Sequence, residues 1–172
     1  MIQSPPRTIL EVFESLPEGT LCQIINNQLV MSPAPSLKHQ QILKKIFLQI
    51  NEIVEKNHLG EVLFAPVDIY LNEENVYQPD LVFISNERLN ILQDKIQGAP
   101  DFVVEVLSPG SKRFDKTEKK NVYESSGVKE YWIIEPESKQ VTGYLLQNNA
   151  FIEIPSEEGV ISSKLLGATI HF

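Results

Sequence analysis

Between Ser36 and Gly60 the apolar positions fall in a stripe. Ile42, Leu43, Ile46, Phe47, Ile50, Ile53 and Val54 recur at three- and four-residue spacing. That period predicts an amphipathic helix of about five turns, with Ser36 as N-cap and Gly60 as its stop. His39 lies on the same stripe, one turn before Ile42 and Leu43. Ahead of the helix, CQIINNQLVM reads as two short strands turning at Asn26-Asn27, a pair that tolerates positive φ. After Gly60 the period shortens to that of strands. EVLFAPVDIYL reads as a strand breaking at Pro66, NEENV as a polar turn, and YQPDLVFIS and DFVVEVLS as the second and third strands. SPGS is a tight turn, and residues 114–126 form a helix with Gly127 as its C′ residue. KEYWIIEP is so uniformly apolar that it belongs inside a sheet. QVTGYLLQ, NNAFIEIP and LGATIHF complete the chain as short strands.

This order predicts one α/β domain over residues 1–172. A mixed central sheet is flanked by helices, with an N-terminal β-hairpin and extra short strands towards the C-terminus. The helix connecting the third and fourth strands favours a parallel pair there.

Charge changes the picture in two places. Fifteen Lys and Arg against 23 Asp and Glu give a net charge of −8. That balance opposes indiscriminate binding to nucleic acid, which needs a positive surface to displace counterions. Yet KRFDKTEKK, residues 112–120, holds five basic and two acidic side chains. Cys22 is the only cysteine, so neither an internal disulfide nor a cysteine-based zinc site can form. No apolar run approaches a membrane span and no secretory leader is visible, so the expectation is a cytoplasmic protein with no membrane partner.

The chemistry starts from Glu105, a carboxylate in the middle of FVVEVL. A buried charge is costly unless it is paired, hydrogen-bonded or bound to metal. Asp80 opens the neighbouring strand after Pro79, and Asp68 in PVDIYL is a third candidate. Carboxylates converging at a sheet edge suit a hard cation such as Mg²⁺ or Mn²⁺. Asp115, Lys119 and Tyr123 follow at four-residue intervals on one helix face, with Lys112, Lys116 and Lys120 in the next row. A lysine beside metal-ligating carboxylates can orient water and stabilise negative charge on phosphate. Each residue also has a plainer role. Glu105 could form a buried ion pair with a lysine of the next helix. Asp80 and Asp68 could belong to turns and strand ends. Asp115–Lys119 could be a surface pair, and His39 and Tyr123 could be interior packing groups.

The segments PAPSLKHQ, QPDLVFI and GAPDFVVEVLSPGSKRFDKTEKKNVYESSGVKEYWIIEP resemble the Uma-two family of restriction-endonuclease-like proteins, within the PD-(D/E)XK nuclease superfamily. The resemblance runs from about Pro17 to about Tyr144. It implies a restriction-endonuclease-like core. Asp80 and Glu105 would hold Mg²⁺ or Mn²⁺, and His39 would be a further site group. It also implies a departure: the superfamily lysine belongs at 107, where this chain has Leu107. The family generally lacks that lysine, and its helix lysine corresponds to Lys119. The expected activity is therefore metal-dependent DNA cleavage. Lys119 would serve as the lysine and Asp115 would fix it, with His39 and Tyr123 completing the pocket. Lys112, Arg113, Lys116 and Lys120 would lie along the DNA backbone. Cutting both strands of a duplex would suit a homodimer. The rival expectation is a nuclease-fold binding or regulatory protein that does not cut.

Overall fold

The computed structural model describes residues 6–172. A short helix, α1 (Ile9–Glu14), opens the described chain, closed by a capping box between Thr8 and Glu11. At six residues it is too short to set up the apolar period by which α2 is read. The expected hairpin follows as β1 (Cys22–Ile25) and β2 (Gln28–Met31), with Asn26 and Asn27 at φ 48° and 59°. The long helix is α2 (Leu37–Asn57), whose N-cap Ser36 accepts from the His39 amide. It stops at His58, in the left-handed conformation at φ 51°, rather than at Gly60. Gly60 opens β3 (Gly60–Phe64) instead. At φ 153° a Cβ there would fall 2.0 Å from the Ile84 carbonyl oxygen, so the close approach of the next strand demands glycine.

EVLFAPVDIYL, read as a strand breaking at Pro66, and YQPDLVFIS, read as one strand, both divide between sheets. EVLFAPVDIYL becomes β3 and β4 (Ile69–Asn72); β5 (Asn75–Tyr77) takes Asn75 and Val76 from NEENV, expected as a turn, and Tyr77 from YQPDLVFIS, whose remainder after Pro79 forms β6 (Leu81–Ser85). The breaks fall at Pro66 and Pro79, which cannot donate to a ladder. A 3-10 turn (Asn86–Ile91) and β7 (Ile96–Gln97) lead to β8 (Phe102–Val106). The helix expected over 114–126 is two helices, α3 (Lys112–Lys116) and α4 (Glu118–Ser126), broken at Thr117 with φ −126° and ψ −82°. Then come β9 (Glu130–Ile134), β10 (Val141–Gln147), β11 (Ala150–Ile154), β12 (Val160–Ser163) and β13 (Ala168–His171).

The central sheet has the order β11-β10-β9-β8-β6-β3. Only β8 and β9 are parallel in it, and they are the pair joined through helices. A second sheet, β2-β1-β5-β4-β7, lies across one face, and β12–β13 forms a separate hairpin. On the other face, Ile46, Ile50 and Val54 of α2 pack with Phe83, Phe102, Val104 and Trp132, and Ile161 and Ile170 of the hairpin join them. Each such side chain contributes about 1.5–3 kcal/mol on burial. Beneath the second sheet and α4, Val82, Val103, Tyr131 and Ile133 meet Ile69, Tyr77 and Tyr123. Glu130 accepts from Trp132 Nε1, Ser163 Oγ and the Leu165 amide, so one buried carboxylate ties the C-terminal hairpin to β9. Among the described residues no helix is long and apolar enough to cross a membrane.

Candidate active site

Strand alternation decides where Glu105 points. Val104 and Val106 belong to the core under α2, whereas Val103 and Leu107 belong to the core under α4 and the second sheet. Glu105 shares the latter face. The antiparallel register pairs Leu81 with Val104, so one step further Asp80 stands opposite Glu105. Directly opposed like charges are unfavourable unless something positive lies between or beside them.

That positive group is Lys119. Its Nζ donates to Glu105 Oε1 at 2.9 Å and lies 2.9 Å from Asp115 Oδ1, with Lys119 only 1% exposed. Tyr123 Oη donates to the same Glu105 oxygen at 3.1 Å. Asp115 Oδ2 has no partner among the described residues. Tyr131 Oη donates to the Asp115 backbone carbonyl and so fixes α3 over β9. Asp80 Oδ2 accepts from the Val106 amide at 2.7 Å and from His39 Nε2 at 3.1 Å. His39 Nδ1 is buried without a partner among the described residues.

Negative charge is in excess here: Glu105 and Asp115 share one lysine, and Asp80 stands opposite Glu105. Burial pushes the Glu105 carboxyl up; Lys119 opposes that, while Asp115 and Asp80 reinforce it. Lys119 also moves up. Burial acts against its charge, but Asp115 and Glu105 outweigh burial. The direction for Lys119 decides its state: it is an ammonium at neutral pH. His39 is raised likewise, its burial overcome by Asp80. Burial raises Glu105, whereas neighbouring carboxylates raise Lys119 and His39 against burial.

The cluster lies at the floor of a cavity of about 310 Å³ lined by His39, Asp80, Glu105 and Lys119. Gln23, Met31 and Pro33 line it too. No local pattern announces them, because they arrive by the packing of one sheet over another.

Six of the site residues expected from the sequence come together here in two neighbouring groups, His39 with Asp80, and Glu105, Asp115 and Tyr123 around Lys119. Asp115 and Lys119 meet across the break at Thr117, not along one helix face. The buried pair of Glu105 with a helix lysine is also the contact that the plainer alternative foresees. It differs from an inert core pair in opening onto a cavity. Asp68 is not part of the site. It binds Lys95 at 2.8 Å and Gln78 at 2.7 Å beside a second cavity. In the basic row Lys112 pairs with Glu135, Arg113 with Glu118, and Lys120 lies over the Tyr144 ring, while Lys112, Arg113 and Lys116 are all exposed.

A mixed sheet flanked by helices, with acidic residues opposed on two central strands and a lysine beside them, defines a restriction-endonuclease-like core. A model of the Uma2 family, described as "Putative restriction endonuclease", matches residues 10–170, and the chain belongs to that family. It is similar to a solved structure titled as a putative nuclease belonging to DUF820 from Anabaena variabilis ATCC 29413. The TM-score is 0.76 at 20% identity, covering 94% of this chain and 92% of that one. That likeness establishes the fold. No curated protein matches the chain.

Proposed function

We propose that the protein is a divalent-metal-dependent endonuclease that hydrolyses phosphodiester bonds in DNA. The observation that carries this reading is the opposition of Asp80 and Glu105 at the cavity floor, with Lys119 bound to Glu105. Family membership supports it.

Among the described residues no three His, Cys, Asp or Glu side chains form a closed metal cage. The site offers two carboxylates, and neither Asp80 Oδ1 nor Glu105 Oε2 has a hydrogen-bond partner among the described residues. This donor set fits Mg²⁺ or Mn²⁺, which accept one or two carboxylates and complete their shell with water and phosphate oxygens. A cation held there would polarise the phosphoryl oxygen and make water a better nucleophile. The protein groups then divide the remaining work. Lys119, held as an ammonium, is a donor and not a base; it positions water or stabilises the phosphate's developing charge. Asp115 and Tyr123 hold Lys119 and Glu105 in place, and His39 orients Asp80. Lys112, Arg113 and Lys116 are the exposed cations of the basic row placed to meet a phosphate.

The test is nicking of supercoiled plasmid in Mg²⁺ or Mn²⁺. Wild type is expected to nick, and Glu105→Gln to lose activity at least 100-fold. Equal activity in the two proteins overturns the proposal. Leu107, buried where the superfamily motif places lysine, favours a second reading, a nuclease-fold binding protein that does not cut. Failure of the wild type to bind Mn²⁺ in calorimetry would support that reading.

A further inference from the structure

We propose that the site prefers an unpaired nucleotide, in single-stranded or locally melted DNA, over an intact duplex. The proposal rests on the nuclease reading above and names its substrate class.

Depth is the first argument. Glu105 and Lys119 are 4% and 1% exposed where they line the cavity. A volume of about 310 Å³ lies at the small end of pockets that enclose one small ligand. A stacked, paired strand presents its phosphates on a broad convex cylinder. For a phosphodiester to reach these two side chains, its nucleotide must leave the stack, as it does wherever chemistry happens in a recessed pocket.

The wall is the second argument. Met31, at the end of β2, is 67% exposed while lining the cavity, and Pro33, Pro35 and Phe114 line it too. Apolar and aromatic surfaces of this kind receive the face of an unstacked base, whatever its identity. They offer no donors to the phosphate rows of a duplex.

Charge is the third. Duplex binding relies on many Lys and Arg contacts to phosphate. Here Lys38 is paired with Glu137, Lys112 with Glu135 and Arg113 with Glu118, on a chain of net charge −8. A single strand seated by stacking needs fewer free cations.

The experiment uses labelled oligonucleotides of equal length: a single strand, a perfect duplex, and a duplex with a central unpaired bulge. With Mn²⁺, the single strand and the bulge are expected to be cut at least tenfold faster than the perfect duplex. Met31→Asp should slow cutting of the single strand at least fivefold with an unchanged melting temperature. A perfect duplex cut as fast as the single strand overturns the proposal. Absence of cleavage on every substrate sinks the nuclease reading instead, and binding in Ca²⁺ then decides the preference. At least tenfold tighter binding of the single strand sustains it. Equal binding, tighter duplex binding or no binding overturns it.

Discussion

Lys119 Nζ and Glu105 Oε1 meet at 2.9 Å between a helix and a strand, both buried, and Asp115 holds the same ammonium from the other side. Breaking such an arrangement from one end leaves uncompensated charge in the interior. Lys119→Met is therefore expected to cost about 3–5 kcal/mol in urea unfolding. Adding Glu105→Gln should recover part of that loss. A Lys119→Met protein within about 0.5 kcal/mol of wild type would show that the cluster is not held as described.

Asp80 and Glu105 are expected to hold the metal jointly. Titrated with Mn²⁺ by calorimetry, wild type should show one site per chain. Asp80→Asn should weaken it about 10–100-fold, since it removes a ligand and disturbs its contacts to His39 and the Val106 amide. Unchanged affinity would remove Asp80 from the ligand set.

Gly143 faces Trp132 across the β9–β10 ladder, and a Cβ there would fall 2.3 Å from the indole. The ring cannot simply swing away, because Glu130 holds its Nε1 at 3.1 Å. Gly143→Ala should cost about 1–3 kcal/mol through overpacking. It should also shift the emission of Trp132, the chain's only tryptophan. An unchanged spectrum and stability would contradict the tight packing.

Asp101 supplies a pH dependence away from the site. Burial opposes its charge, but Lys129 and the Ser85 amide outweigh burial and hold its carboxyl below the usual range. A lowered folded value stabilises the protein fully above the unfolded value of about 4, and the contribution fades as pH falls through the folded value. Asp101→Asn should thus be about 2 kcal/mol less stable than wild type at neutral pH. The gap should narrow in acid, as urea unfolding at about pH 7 and about pH 2.5 would reveal. A gap constant with pH would refute the assignment.

The elements legible in the sequence are those whose order repeats locally. The stripe of α2, the Asn26-Asn27 turn and the apolar β8 and β9 are all readable because period and turn chemistry are short-range signals. The parallel pairing of β8 and β9 follows from the helices between them. What escaped is long-range. Nothing within EVLFAPVDIYL says that its halves enter different sheets, and the same holds for Asn75–Tyr77 and Leu81–Ser85. Asp68 looks equivalent to Asp80 for that reason: both follow a proline-marked break, but only Asp80 leads into the central sheet. Meeting of Asp115 and Lys119 survives a wrong local geometry, because a break at Thr117 still leaves the two residues one turn apart. The pairing of Lys112 with Glu135 and of Arg113 with Glu118 depends on side-chain choices that spacing does not encode.

The Val106 amide that orients Asp80 has a wider consequence. Its side chain points to the opposite face, into the core beneath α2. Any residue but proline supplies the same N–H at that place. One position thus serves two masters: its side chain can be chosen for packing while its peptide group keeps the carboxylate aimed. Val106→Ile and Val106→Leu would alter stability and leave the site's aim intact. Val106→Pro would unhook Asp80 without touching a single side chain of the site.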